Sequence, residues 1–315
     1  MAQGLLLAAV GLFLTGYLIL DGSAFGVGAV RLRTGGGETE RRLSLNAVGP
    51  YFLGHEVWVV AAVGLLIGAF PELEAAVFTG YFPVFVVLVG AFVLRDGGMW
   101  LRSRRESAGS RRFWDRAIAV ASVVLALSWG LVLGNLAEGV PSGGHPAAAF
   151  SPYALLCALA FGCLVVVHGA AFLAMRVRGE QSVRAAALAR RLVLPAAGLL
   201  VLVLAFGFLA ADVAAPVVAA VLVALAVVAL AVAARFLGRG VHGPAFAATA
   251  CAVGLPVLAV GAGQSPVLVG LAAAPESLAV LGVFLACALP VMLLGQVWLW
   301  RAFAGPMVPA APLYF

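Results

Sequence analysis

Four side chains that can bind and release protons lie inside long apolar stretches of the sequence. Asp21 lies in the first stretch, His55 and Glu56 lie in the second, and His168 lies in the fifth. An ionisable group inside a membrane is costly unless it is paired, so each such group is a candidate for function. Carboxylates and imidazoles in a row can pass protons. The sequence therefore predicts a candidate proton path that contains these four residues.

Each of these residues also has a structural interpretation. Asp21 can pair with an arginine such as Arg95 and so fasten the first apolar stretch to the third. Adjacent helical residues point about 100° apart, so His55 and Glu56 cannot both face one partner, and one of them can face a neighbouring subunit. His168 is also compatible with a hydrogen-bonded role in helix packing. The residue types alone leave both interpretations open.

Other patterns of catalysis and metal binding are absent from the sequence. Residue 59 is Val59, so His55-Glu56 does not begin an HExxH motif, and no CxxCH, Walker or nucleophile-elbow pattern occurs. We expect this chain to ligate no metal and no haem. The cysteines all lie in apolar stretches and are expected to be small core side chains, not a disulfide framework: Cys157, Cys163, Cys251 and Cys287.

The segments that must position these residues are long enough to cross a bilayer, for which a helix needs about 20 apolar residues. Hydrophobic residues make up 64% of the chain and charged residues only 10%, which excludes an ordinary soluble protein. The sequence predicts an all-α polytopic membrane protein in a single membrane domain over 1–315, with helices 1–4 at 4–135 and helices 5–9 at 151–303. The nine predicted spans are 4–30, 51–70, 76–94, 115–135, 151–175, 191–211, 214–234, 244–264 and 277–303.

Arginine distribution predicts how the spans are oriented. All 19 basic residues are arginines, and they lie in alternate gaps between spans or at the span ends that border these gaps, with Arg301 at the end of the last span. The charged residues of the other gaps are all acidic. By the positive-inside rule, the N-terminus lies outside and the C-terminus lies in the cytoplasm. At about 1.5 Å per residue, Asp21 lies about 15 Å and His168 about 12 Å from the inner arginines. All four candidates then lie in the cytoplasmic half of the membrane.

Three pairs of glycines have the spacing that allows membrane helices to pack closely. Close helix contacts are expected at the three GxxxG pairs Gly22/Gly26, Gly64/Gly68 and Gly130/Gly134.

The net charge of +6 resides in short loops, where arginines contact lipid headgroups, so we expect no nucleic-acid partner.

A series of short motifs runs through the first two thirds of the chain. They are DGSAFGVG at 21–28, ERR at 40–42, NAVGP at 46–50, GHEVW at 54–58, FP at 70–71, FTGY at 78–81, Arg95, GNL at 134–136, GVP at 139–141, HGA at 168–170, MR at 175–176 and GE at 179–180. In order and spacing they resemble the motifs of subunit II of the cytochrome bd-type quinol oxidases. The resemblance covers about 1–190, and 277–303 more loosely.

This resemblance implies a complex in a bacterial cytoplasmic membrane that oxidises quinol and reduces O2 to water. A partner, subunit I, would bind haem b and haem d and carry the quinol site, while subunit II would contribute part of a proton route from the cytoplasm. Asp21 matches the acid on that route, and Arg95, Trp58 and Asn135 are candidates for an ion pair or an interface. A small accessory subunit, membrane lipids and a bound quinone or lipid are further expected partners.

The chain also departs from the family pattern at the proposed proton entry. Leu53 stands where the family motif WDGN has a carboxylate, and Ala24 replaces the second Asp of DGFD. Residues such as Met99 and Trp100 replace an acid after the third span. Either His55 and Glu56 substitute for the lost carboxylate, or protons enter through another subunit.

Two other functional classes fit the same residues. Carboxylates and histidines inside a membrane also mark transporters and channels, although their substrate sites typically lie at the midplane between internal repeats. A purely structural partner subunit, whose buried acids only pair with arginines, is the other alternative.

Overall fold

The computed structural model describes residues 2–104, 107–140 and 149–307, which contain α-helices and no β-strand. Nine of the helices in these ranges are long and apolar enough to cross a membrane, which confirms the predicted all-α polytopic fold. The helices are α1 (Ala2–Thr34), α2 (Glu38–Val48), α3 (Phe52–Ala69), α4 (Pro71–Gly80), α5 (Phe82–Arg102), α6 (Ala108–Glu138), α7 (Pro152–Arg176), α8 (Gly179–Ala210), α9 (Pro216–Gly238), α10 (His242–Leu268) and α11 (Pro275–Ala302).

Two of these helices, α2 and α4, are too short to cross a membrane and lie between spans. Helix α2 occupies a segment that was predicted to be a loop. It follows the non-helical residues 35–37, all glycines, which end α1.

The predicted third span, 76–94, was displaced from the observed helix. Residues 71–80 form α4, and the span itself is α5, which begins at Phe82 with Pro83 in its first turn. Proline is tolerated there because the first amides of a helix have no partner within it. The helix also continues past Arg95 to Arg102, since Arg95 is neutralised by carboxylates and does not need to leave the membrane interior.

The sixth and seventh predicted spans are separate helices, but the sixth begins earlier than predicted. A break at 211–215 separates α8 from α9, which confirms that this region holds two spans and not one kinked helix. Helix α8 begins at Gly179, well before the predicted residue 191, because its first turns carry charged residues that hydropathy alone excludes from a span.

Helix α1 lies at the centre of the bundle and packs against α3, α6, α7 and α10. Small residues allow the closest approaches. A Cβ added at Gly26 would lie 2.6 Å from the Cα of Gly169 on α7, and one at Gly130 would lie 2.6 Å from the Cα of Ala158. The predicted close contacts are therefore present at Gly26 and Gly130. In the pair Gly64/Gly68, a Cβ added at Gly64 would meet no atom within 4 Å, so the prediction was wrong there, whereas one added at Gly68 would lie 3.1 Å from the side chain of Leu281 on α11.

Ion pairs gather the arginine-bearing helix ends at one end of the bundle, which we call the arginine-rich end. Arg31 of α1 pairs with Asp115 of α6 at 2.8 Å, Arg102 of α5 pairs with Glu38 of α2 at 2.8 Å, and Arg184 of α8 pairs with Glu40 of α2 at 2.6 Å. The arginines that follow the first, third and fifth predicted spans, represented here by Arg31, Arg102 and Arg184, thus lie at the same end of the bundle. Its orientation in the membrane stays a prediction.

Candidate functional site

The centre of the candidate site is the guanidinium of Arg95 on α5, which is 1% exposed. Its Nη1 and Nη2 donate hydrogen bonds to the two carboxylate oxygens of Asp21 on α1, at 3.0 and 3.2 Å. The ring of Phe25 lies 4.7 Å from the Arg95 Cζ and covers the guanidinium. This bidentate pair, supported by a cation–π contact, fastens α1 to α5. This ion pair is the one predicted from the sequence as the structural interpretation of Asp21.

Two further carboxylates share the same guanidinium. The Nε of Arg95 donates to Oδ1 of Asp96 at 2.6 Å, whereas Oε1 of Glu56 lies 3.6 Å from Nη2, too far for a hydrogen bond. The side chains of Asp96 and Glu56 are 15% and 20% exposed. We call Asp21, Glu56, Arg95 and Asp96 the Arg95 cluster. It joins α1, α3 and α5 with three acids and one base.

Asp96 is the member of the cluster that hydropathy did not reveal as a buried polar residue. The predicted span ended at residue 94, which placed Asp96 in a loop. The position of Asp96 directly after Arg95 could have indicated this contact. A carboxylate that follows a buried arginine can bond to that arginine from the same helix. Helix α5 in fact keeps Asp96 within the bundle, where it contacts Arg95.

The structure places His55 next to Glu56 along α3 but in different surroundings. His55 is 1% exposed, and neither ring nitrogen has a hydrogen-bond partner among the described residues. Its ring stacks on Tyr51, with ring centroids 5.8 Å apart and planes 13° apart. The two neighbours therefore face different groups, as the helical geometry predicted.

His168 on α7 is held by hydrogen bonds on both ring nitrogens. Nε2 lies 3.0 Å from the carbonyl oxygen of Ile19, and Nδ1 lies 2.8 Å from the hydroxyl of Thr249. Nε2 donates to the carbonyl of Ile19, and a neutral imidazole can then accept at Nδ1 when the Thr249 hydroxyl turns its one proton towards the ring and away from the carbonyl oxygen of Phe246, 2.8 Å from it. The ring also stacks on Phe246 at 4.8 Å. These partners join α1, α7 and α10, and none of them belongs to the Arg95 cluster.

Trp58 and Asn135 make contacts within the chain, away from the Arg95 cluster. The indole nitrogen of Trp58 donates to Oε1 of Gln296 at 3.3 Å and so links α3 to α11. The amide nitrogen of Asn135, near the end of α6, donates to the carbonyl oxygen of Ala149 at 2.9 Å. Both residues therefore connect neighbouring segments of the fold.

A second charged network lies at the arginine-rich end and was not anticipated from the apolar pattern. The carboxylate of Asp115 pairs with Arg31 and Arg102, both of which are buried, and lies 3.9 Å from Arg41. Because these partners belong to α1, α2, α5 and α6, the network holds four helix ends together. Arg102 and Arg31 lie 13 and 84 residues from Asp115, so no helical spacing could reveal the network.

The described residues contain no group of three or more His, Cys, Asp or Glu side chains that could hold a metal ion. They do enclose a large apolar cleft of about 700 Å³ between α1, α3, α6 and α10. Its walls include residues from the first half of α1 and the second halves of α3, α6 and α10, far from the arginine-rich end: Leu7, Leu14, Leu66, Leu136, Val257 and Leu268.

Comparison with known proteins gives matches to one family. The family model described as "Cytochrome bd terminal oxidase subunit II" matches residues 2–303. "Cytochrome bd-I ubiquinol oxidase subunit 2" of Escherichia coli (strain K12) is 32% identical over 191 residues, which is 58% of this chain and 50% of that relative. "Cytochrome bd ubiquinol oxidase subunit 2" of Bacillus subtilis (strain 168) is 27% identical over 208 residues, 64% of this chain and 61% of that relative.

A solved structure shows the same fold. The match is to "The structure of bd oxidase from Geobacillus thermodenitrificans", with a TM-score of 0.78 and 18% identity. It covers 96% of this chain and 99% of that chain. The match to the Escherichia coli sequence, by contrast, spans only half the length of that relative.

Proposed function

The chain belongs to the cytochrome bd terminal oxidase subunit II family, and from this premise we propose that it is the non-haem subunit of a membrane quinol:O2 oxidoreductase. The observation that carries the proposal is the family match over residues 2–303, together with nine helices in the described part that can cross a membrane. The proposed partner is a haem-bearing subunit I, and the proposed location is the bacterial cytoplasmic membrane, with the arginine-rich end inside.

In this complex the haems b and d would belong to the partner and would supply electron transfer to O2. Among the described residues, the buried histidines His55 and His168 are poorly placed to hold a haem, since they are 1% and 0% exposed. Both ring nitrogens of His168 are already bound to Ile19 and Thr249, and the ring of His55 is stacked on Tyr51. We therefore assign to this chain the packing of the complex and the handling of protons.

We propose that Asp21 and Glu56 form part of a proton route from the cytoplasm. Both carboxylates lie at Arg95, and the partial exposure of Glu56 gives the buried Asp21 a path to the surface of the subunit. Leu53, at the position of the carboxylate in the family motif, is exposed and cannot carry a proton. Glu56, with His55 beside it, is the nearest substitute on α3.

A purely structural role is the second candidate function, and one observation favours it. Arg95 holds both oxygens of Asp21, which is the geometry expected of an ion pair that fastens two helices. His168 belongs with this role, since a ring with both nitrogens bound must break a hydrogen bond before it can pass a proton.

The decisive experiment replaces Asp21 and Glu56 in the intact complex. If the route is real, Asp21→Asn and Glu56→Gln should each slow O2 consumption and proton uptake from the inside by about 10²-fold, the low end for a positioned proton-transfer group. Glu72→Gln, an exposed acid on α4, is the matched control and should leave both rates unchanged. Full rates in both test variants would end the proposal, and poor assembly with normal rates per complex would establish the structural role.

The wider assignment is tested by purification. A tagged chain should co-purify with a haem-rich partner that shows the long-wavelength absorption band of haem d. A small accessory subunit would appear as an additional band in the same preparation. Isolation of this chain alone, with solute uptake after reconstitution into liposomes, would instead identify a transporter.

We propose that the apolar cleft holds the hydrocarbon chain of a quinone or a membrane lipid. The cleft volume of about 700 Å³ and its walls of leucine, valine and glycine suit an apolar chain. Gly11 lines the cleft with open space around it, so Gly11→Leu should reduce the quinone or lipid that co-purifies, measured by solvent extraction and mass spectrometry. Gly90→Leu on α5, also in open space but away from the cleft, is the control, and equal amounts in both variants would refute the idea.

A further inference from the structure

The Arg95 cluster contains more acid than base. Asp21, Glu56 and Asp96 surround the single guanidinium of Arg95, so that two negative charges remain unbalanced when all three acids are ionised. The groups that act electrostatically on Glu56 are the other three members of the cluster, Asp96, Asp21 and Arg95. Unbalanced charge at membrane depth is costly, and a buried acid avoids this cost most simply by binding a proton.

Hydrogen-bond geometry distinguishes the three acids. Both oxygens of Asp21 accept bonds from Arg95, and Asp96 accepts a bond from Nε at 2.6 Å, so each of these carboxylates is stabilised as an anion. Glu56 is 3.6 Å from the nearest guanidinium nitrogen, and its Oε1 is buried without a hydrogen-bond partner among the described residues. Glu56 is thus the acid whose ionised form is least stabilised.

An independent observation comes from His55, the preceding residue on α3. It is 1% exposed, and both of its ring nitrogens lack a hydrogen-bond partner in the described part of the chain, although it lies within the electrostatic influence of Arg95. A buried polar side chain normally has a partner. On one turn of α3, an imidazole and a carboxylate oxygen that both lack a hydrogen bond among the described residues point to an exchangeable proton, or to the water that delivers it.

We infer that Glu56 holds a proton in the resting protein at neutral pH, as the proton-storing member of the Arg95 cluster. The inference deepens the proposed function and rests on it, since the stored proton would be the one that the route delivers. Asp21 and Asp96 keep their hydrogen bonds to Arg95. The titratable groups near the cluster from the packed helices are Tyr17 on α1 and His55 on α3.

Infrared spectroscopy of the purified complex tests this directly, because a protonated carboxyl has a carbonyl stretch that a carboxylate lacks. The difference spectrum between the unmodified complex and Glu56→Gln at neutral pH should show one carboxylic acid band that shifts in D2O. Glu72→Gln, at an exposed acid, should leave that band in place. An unchanged carboxylic acid region in Glu56→Gln would overturn the inference.

Asp96→Asn provides a second test that retains Glu56. Removing one negative neighbour should make the band disappear at a lower pH than in the unmodified complex, and a titration identical to that of the unmodified complex would count against the inference. The rate of proton uptake, measured in the same variants, distinguishes this inference from the proposed route. Loss of the band in Glu56→Gln with full proton uptake confirms storage and removes Glu56 from the route, whereas slow uptake with the band unchanged overturns storage and retains the route.

Discussion

At the scale of single residues, the role of each buried polar group depends on what its polar atoms contact. His168 and His55 are both buried imidazoles, yet His168 has a partner on each nitrogen and His55 has none among the described residues. Asp21 and Glu56 both lie at Arg95, but only Asp21 is hydrogen-bonded to it. Residue type alone could not separate these cases, because the distinction depends on contacts between helices.

The bonds of His168 predict a stability defect when the residue is replaced. His168→Ala leaves the carbonyl oxygen of Ile19 without its donor, and we expect a loss of about 1–3 kcal/mol of stability. Thermal denaturation of the purified complex measures this as a lower midpoint temperature, while O2 consumption per assembled complex should stay normal. His242→Ala, at the start of α10, is the control. If His168→Ala slowed O2 consumption without lowering the midpoint temperature, the result would contradict this prediction and support a role of His168 in proton transfer.

The sequence predicted the site only in part, for reasons that can be traced to individual residues. The pairing of Asp21 with Arg95 was foreseeable, because a buried acid needs a base and few bases were available. Asp96 was missed since hydropathy ended the third span one residue before Arg95. The network at Asp115 was missed because Arg31, which contacts both the carbonyl oxygen and the carboxylate of Asp115, is 84 residues away in the sequence. Helical spacing predicts contacts only between residues a few positions apart.

At the scale of helices, hydropathy identified the spans but not all of their ends. A helix ends where its backbone hydrogen bonds end, and this can lie well beyond the apolar stretch. Helix α5 therefore continues through Arg95 to Arg102, and α8 begins at Gly179 among charged residues. The number of spans was predictable because it depends on the count of apolar stretches long enough to cross a bilayer.

The contact between α1 and α7 gives a prediction within one GxxxG motif. A Cβ at Gly26 would lie 2.6 Å from the Cα of Gly169, whereas a Cβ at Gly22 would lie 3.9 Å from the nearest atom, on Val165. Gly26→Ala should therefore force the helices apart and cost about 1–3 kcal/mol or more, while Gly22→Ala should be tolerated. The yield and thermal midpoint of the assembled complex report the difference. Equal effects of the two substitutions would show that this contact does not control assembly.

At the scale of the whole molecule, charge is separated between the two ends of the bundle. The arginine-rich end contains the networks at Asp115 and Arg184, whereas the opposite end carries acids, such as Asp212 between α8 and α9 and Glu276 in the first turn of α11. The Arg95 cluster lies on the arginine-rich side, on the same helix as Arg102. The orientation of the molecule therefore determines which side of the membrane supplies protons to the cluster.

Cysteine labelling can establish that orientation. In a background with the four native cysteines replaced by alanine, Glu276→Cys and Arg239→Cys would place single thiols at exposed positions on opposite ends. If the positive-inside rule holds, a membrane-impermeant maleimide should label Glu276→Cys in spheroplasts and Arg239→Cys only in inverted vesicles. The reverse pattern would place the Arg95 cluster towards the outside. Protons drawn through Glu56 would then come from the wrong side for uptake from the cytoplasm, so the route would fail even if both acids were required for the reaction.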